Sequence, residues 1–191
     1  QHQAIMDELE TCNADITVTS DLCHLAAVND PRLKRFTLSD GPLTIIACAP
    51  RAVRALFSTA GWQLPYENVE FVNRRDLAPT EVPSTFETAF SCSPAQAGGE
   101  VEQLDAEERE NWTPWFPVID RERCKDCGQC ANFCLFGVYS IEETGRVWVE
   151  KPWNCKTNCP ACARMCPHVA IIFPKIDEPS PINGSLMEPG E

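Results

Sequence analysis

"CKDCGQCANFCLFGVYSI" (124–141) and "CKTNCPACARMCPHVAII" (155–172) carry eight of the twelve cysteines in this 191-residue chain. The first spaces them C-x2-C-x2-C-x3-C and the second C-x3-C-x2-C-x3-C-P. Cys127/Cys159, Cys130/Cys162 and Cys134/Cys166 each stand 32 residues apart, so the two crowds are copies of one unit. An apolar run, "VYSI" or "VAII", follows the last cysteine of each copy, and "FPVID" (116–120) or "RVWVE" (146–150) precedes the first. "EETG" (142–145) between the copies has the composition of a short turn. Each copy therefore reads as strand, cysteine loop, short helix, strand. Two such halves can bury apolar faces that neither could bury alone. The expectation is an α+β domain with pseudo-twofold symmetry over residues 116–176.

Thiols two or three residues apart converge readily on a metal centre and pair poorly as disulfides. The alternatives are a disulfide scaffold, which belongs to short secreted chains, and structural zinc, which uses two C-x2-C pairs across a longer span. Neither explains a third cysteine at the next x2 step. The first crowd matches the bacterial ferredoxin loop C-x2-C-x2-C-x3-C-P except that Leu135 replaces the closing proline, and the second has one extra residue in its first gap. Residues 116–176 thus resemble a two-cluster bacterial-type ferredoxin. In that pattern three thiolates hold one cubane and the fourth crosses to the other. The resemblance implies one [4Fe–4S] cluster on Cys124, Cys127, Cys130 and Cys166, and a second on Cys155, Cys159, Cys162 and Cys134. Amides of Gly128, Gln129 and Ala131 are expected to face the sulfurs. Val138, Ile141, Ile171 and Phe133 are expected to form a dry shell. Lys125, Lys156 and His168 read as surface residues rather than tuning groups.

Upstream, "ADITVTSDLC" (14–23), "GPLTIIACAP" (41–50) and "NVEFVNRR" (68–75) read as strands, with Cys23 and Cys48 at strand ends. "RAVRALFSTAG" (51–61) places Ala52, Val53, Leu56 and Phe57 at helical spacing, with Pro50 suited to the first turn and Gly61 to the stop. A further helix is expected over "IMDELE" (5–10). This order predicts a parallel βαβ unit in a small α/β domain spanning 1–78 and extending to Cys92. Residues 79–115 read as a Pro/Gly-rich acidic linker with one exposed helix, and 177–191 as a mobile tail. Trp112, Trp115, Trp148 and Trp153 are expected to pack at the domain junction.

Cys12, Cys23, Cys48 and Cys92 form no compact motif; singly, each reads as a small buried hydrophobe. However, "PLTIIACAPRAVRALFSTAGWQLP" followed by "VEFVNRRD" resembles the N-terminal region of the heterodisulfide reductase A subunit family. That resemblance implies a third [4Fe–4S] cluster on Cys23, Cys48 and Cys92, with Cys12 as a stand-in for a fourth ligand. A metal-free domain with buried or disulfide-linked thiols is the alternative. The family's flavin domain is missing, since no G-x-G-x-x-G follows a strand.

The net charge of −12 excludes nucleic acid, which demands a basic face, and favours a redox protein partner with a basic docking surface. No run of eighteen apolar residues suggests a membrane span, and "QHQAIMDELE" carries no basic-then-apolar leader pattern. Clustered reduced thiols point to cytoplasm. No phosphate loop or Ser-His-Asp set argues for an enzyme. The resulting expectation is a polyferredoxin relaying single electrons at low potential. The alternative is a non-catalytic electron-transfer subunit docked on a flavoprotein or a heterodisulfide-reductase-like complex.

Overall fold

The computed structural model describes residues 14–38, 41–77, 99–105, 107 and 112–185. Among the described residues eight short strands pair two by two. β1 (Ile16–Val18) pairs in parallel with β4 (Val101–Gln103), and β2 (Leu43–Ala47) in parallel with β3 (Val69–Asn73). β5 (Val118–Ile119) pairs antiparallel with β8 (Ile171–Ile172), and β6 (Tyr139–Ile141) antiparallel with β7 (Val147–Val149). Helices α1 (Leu22–Ala27), α2 (Pro50–Thr59), α3 (Gln129–Phe133) and α4 (Ala161–Met165) complete a mixed α+β architecture with 3-10 turns between them.

α2 lies between β2 and β3, as strand–helix–strand order with a parallel pair requires. Pro50 occupies its first turn, where a missing N–H costs nothing. Ala52, Val53, Ala55, Leu56 and Phe57 form its buried face. Each of the three large residues contributes about 1.5–3 kcal/mol of burial. The helix stops at Gly61, whose φ of +86° suits a residue without a Cβ.

The buried face of α2 does not close a separate domain. It packs on β5, and a single apolar core runs from Leu25, Val53 and Leu56 to Val118, Ile171 and Phe173. Arg51 clamps the two halves polarly. Its Nε donates to Asp120 Oδ2 (2.9 Å), its Nη2 to the Val169 carbonyl (3.0 Å) and its Nη1 to the Pro181 carbonyl (3.3 Å).

Several expectations need correction. Residues 14–23 are not one strand: β1 ends at Val18, and Cys23 sits in α1, which Asp21 caps by accepting from the His24 amide. Asp21 claims that amide locally and starts a helix where the apolar pattern suggested continued strand. Within the segment read as linker, 101–103 form β4 rather than an exposed helix. Pairing with β1 satisfies the backbone, Glu102 is neutralised by Arg35 (2.6 Å), and Leu104 is buried. Trp112 stacks edge-on against His24 and Trp115 tilts over Phe173, each at 5.5 Å, so Trp112, Trp115 and Phe116 pack with the core. Trp153, by contrast, remains partly exposed. The tail is likewise ordered through 185: Asn183 is fully buried, its Nδ2 donating to the carbonyls of Ile176 and Glu178, and Gly184 packs against Ala52. "IMDELE", Cys12 and Cys92 lie outside the described residues.

The Arg51→Ala variant is expected to lose about 3 kcal/mol, the scale for stripping one partner from a largely buried pair. Arg51 and Asp120 are only 17% and 11% exposed. Anaerobic denaturant unfolding checks this; a change under 1 kcal/mol would show that the clamp does not join the halves.

Candidate metal centre

α3 and α4 are single short turns built alike. Each ends on a cysteine in extended conformation, Cys134 (φ −75°, ψ 110°) and Cys166 (φ −75°, ψ 113°), so the last thiol of each crowd turns away from its own helix. Gly128, in the left-handed region at φ +74°, reverses the chain into α3. α3 and α4 pack against each other, bringing Cys134 to the second crowd. Cys134, Cys155, Cys159 and Cys162 line one cavity of about 420 Å³, closed on other sides by Phe133, Val138 and Tyr139.

The first crowd's partners are visible in its electrostatics. Burial, then the fields of Cys124, Cys162 and Cys166, push the Cys130 thiol up to about 12. Burial, then the fields of Cys162, Cys159 and Cys134, push Cys155 up to about 12. Cys162 rises to about 11, again mainly by burial and against a hydrogen bond from Tyr139. Cys130 thus lies in the fields of thiols from both crowds, Cys124 from its own and Cys162 and Cys166 from the other, and Cys155 in those of Cys162, Cys159 and Cys134. Cys127 stands exposed in the loop before α3.

These thiols fit a polynuclear cluster better than a single ion. Four thiols line one cavity of about 420 Å³, room for more than a single ion. Zinc would draw its sulfurs to about 2.3 Å from one point. Backbone amides also serve the sulfurs: Asp126 N donates to Cys124 (3.5 Å) and Ala170 N to Cys166 (3.4 Å). Such donors stabilise thiolate ligands and tune their cluster.

One donor escaped the sequence reading. Tyr139 Oη donates to Cys162 Sγ at 3.1 Å, and burial first, then the Cys162 field, hold its hydroxyl well above the ordinary phenol range. The expected dry shell is only partly correct. Val138 and Ile171 are buried, but Ile141 and Phe133 are exposed. Ile141 shares a face of the β6–β7 pair with Tyr139 but stands at the exposed end of its strand, and Phe133 joins Leu135 and Phe136 in an exposed apolar ridge beside Cys134. Leu135, where the ferredoxin pattern has proline, is 92% exposed.

In the N-terminal half, Cys48 follows β2 and immediately precedes α2, while Cys23 lies on α1, which packs against α2. The field of Cys48 reaches Cys23. Burial and the fields of Asp21 and Cys48 push Cys23 far up, while Lys175 and Arg75 oppose the rise. Burial also raises Cys48, again against Arg75. Arg75 Nη1 is buried without a hydrogen-bond partner among the described residues. An anionic group between these thiols would satisfy it.

Comparison with known proteins agrees with this geometry. The 4Fe-4S binding domain family matches residues 116–139. An uncharacterised ferredoxin of Methanocaldococcus jannaschii is 51% identical over 61 residues, 31% of this chain and 41% of that protein. The pyruvate synthase subunit PorD of the same organism is 33% identical over 60 residues, 31% of this chain and 67% of the subunit. Ferredoxin-3 of Nostoc sp. is 34% identical over 74 residues, 29% of this chain and 75% of that ferredoxin.

Because burial holds Cys130, Cys155 and Cys162 protonated well above neutrality, taking them up as thiolate ligands expels protons. Iron and sulfide uptake by metal-free protein should strengthen with pH, by up to about tenfold per unit for each proton released. Visible sulfur-to-iron absorbance at limiting iron should be stronger at pH 8.5 than at pH 6.5. Equal loading would refute the raised thiols.

Proposed function

The chain belongs to the ferredoxin family of [4Fe–4S] proteins, and on that premise we propose that it is a cytoplasmic polyferredoxin passing single electrons at low potential between protein partners. It carries [4Fe–4S] clusters and transfers electrons. Bound clusters supply the one-electron chemistry; the chain's own residues supply thiolates, amide donors and shielding. The observation that carries the reading is the cavity shared by Cys134, Cys155, Cys159 and Cys162, which draws one thiol from the first crowd into the second. This supports assigning those four residues to one cluster and Cys124, Cys127, Cys130 and Cys166 to the other. The antiparallel β5–β8 and β6–β7 pairs and the matching ends of α3 and α4 support a pseudo-twofold unit over 116–176.

A third [4Fe–4S] cluster is proposed at Cys23 and Cys48, with Cys92 and Cys12 completing its ligands. The proximity of the two thiols, the amides at the start of α2 and the orphaned Arg75 Nη1 favour an anionic group there. It would extend a heterodisulfide-reductase-like N-terminal unit, reaching from 1–78 to Cys92, ahead of the ferredoxin pair. Among the described residues no helix is long and apolar enough to cross a membrane.

A second reading is a non-catalytic electron-transfer subunit held on a larger oxidoreductase, such as a flavoprotein or a heterodisulfide-reductase-like complex. The likeness to a pyruvate synthase subunit favours it. The exposed ridge of Phe133, Leu135 and Phe136 leaves little cover between the Cys134 cavity and a docked acceptor. The acidic balance favours a partner with a basic face.

Anaerobic iron analysis tests the count: about eight irons per chain for two clusters and about twelve for three. Crossed ligation makes the losses non-additive. Cys134→Ala and Cys155→Ala should each remove about four irons, and the double variant no more than about four. A loss of about eight in the double variant would place the two thiols on different clusters. Holoprotein should pass electrons from a reduced protein donor to an oxidised acceptor; turnover of a small molecule without any protein partner would contradict the carrier reading.

A further inference from the structure

Related positions in the two cysteine units are matched at the backbone but not at one side chain. Cys130 on α3 and Cys162 on α4 stand at equivalent places 32 residues apart, and the two helices end in nearly the same backbone conformation. Of the two, only Cys162 gains a side-chain donor, the Tyr139 hydroxyl at 3.1 Å. Position 171, 32 residues after Tyr139, is Ile171, which has no hydrogen to give. A second asymmetry acts in the same sense. Asp126 Oδ1 lies 3.6 Å from Cys124 Sγ, where its negative charge opposes an added electron, although Arg121 Nη1 at 3.3 Å offsets part of that charge. Hydrogen bonds to sulfur favour the reduced cluster, and nearby negative charge disfavours it.

We propose that the Tyr139 hydroxyl, by donating to Cys162, makes the cluster on Cys155, Cys159, Cys162 and Cys134 the higher-potential member of the pair. The electron then rests on the side of the exposed Leu135 ridge. This rests on the carrier reading above and adds a direction to it. A protein donor supplies one electron and a protein acceptor removes it; no bond forms or breaks, and Tyr139 keeps its proton throughout. Tyr139 is a positioning residue for charge, not a ligand. Its place in the second strand of the first unit lets a residue from one half tune the ligand of the other.

Anaerobic potentiometric titration followed by EPR on full-length holoprotein tests this. Wild-type protein should show two unequal couples from the pair. In Tyr139→Phe the higher couple should move to more negative potential, with a change in reduced-to-oxidised ratio of about tenfold, or ~59 mV for one electron. The lower couple should stay in place. If neither couple moves, or the lower one does, the proposal is overturned.

As a near-isosteric check, 3-fluorotyrosine can replace tyrosine in a Tyr66→Phe background, since the chain has two tyrosines. The more acidic hydroxyl should move the higher couple upward; an unmoved couple would again overturn the role. Iron and sulfide analysis of the same samples separates the two readings. Clusters present with unshifted potentials remove Tyr139 alone, whereas wild-type protein without inorganic sulfide removes the carrier reading and this proposal with it.

Discussion

The convergence of thiols from two separate loops onto a single cavity is the constraint around which the rest of the molecule is arranged. Cys134 leaves α3 in extended conformation and reaches the space lined by Cys155, Cys159 and Cys162. The two helices that make this possible have only five residues each, too few to be stable alone. Their order comes from packing against each other and from the chemistry that the thiols can bind. Strands of two or three residues on either side are equally weak by themselves. A metal-bound core can supply folding energy that such short elements lack.

The N-terminal half adds a conventional source of stability. α2 buries a continuous apolar face on β5, and Arg51 ties it to Asp120, the Val169 carbonyl and the Pro181 carbonyl. The contact is long-range, spanning up to 130 residues of sequence. It places the Cys23–Cys48 region and the paired cysteine units on one contiguous core. A shared core holds the two regions at a fixed distance, as the proposed electron transfer between them would need. The acidic surface, at −12 before any thiolate is counted, leaves recognition of partners to complementary charge.

In the proposed near-symmetric pair, two broken positions carry the proposed functional difference. Equivalent loops and equivalent helix ends would yield two similar sites. Tyr139 against Ile171, and Asp126 beside Cys124, make the two environments unlike. Unequal environments give a direction to charge, whereas identical ones would only store it.

Spacing alone made the cysteine units readable, because a run of C-x2-C-x2-C-x3-C constrains where thiols can point whatever surrounds it. The same is true of α2: Pro50, a 3.6-residue apolar stripe and Gly61 are local signals, and the helix formed between them. Reading failed where the outcome depended on a distant partner. β4 forms because β1 is there to pair with, and 180–184 are ordered because Asn183 fills a buried site, whereas at Cys23 it was a local cap, Asp21, that went unread. The sequence by itself determined the thiol inventory, its two-copy spacing and the βαβ segment. Only the tertiary structure decided that the helix carrying Cys23 packs on the helix after Cys48, that Arg51 joins the halves and that Tyr139 touches Cys162. Such contacts link residues far apart in the chain, and no local pattern encodes which surfaces the packed core will bring together.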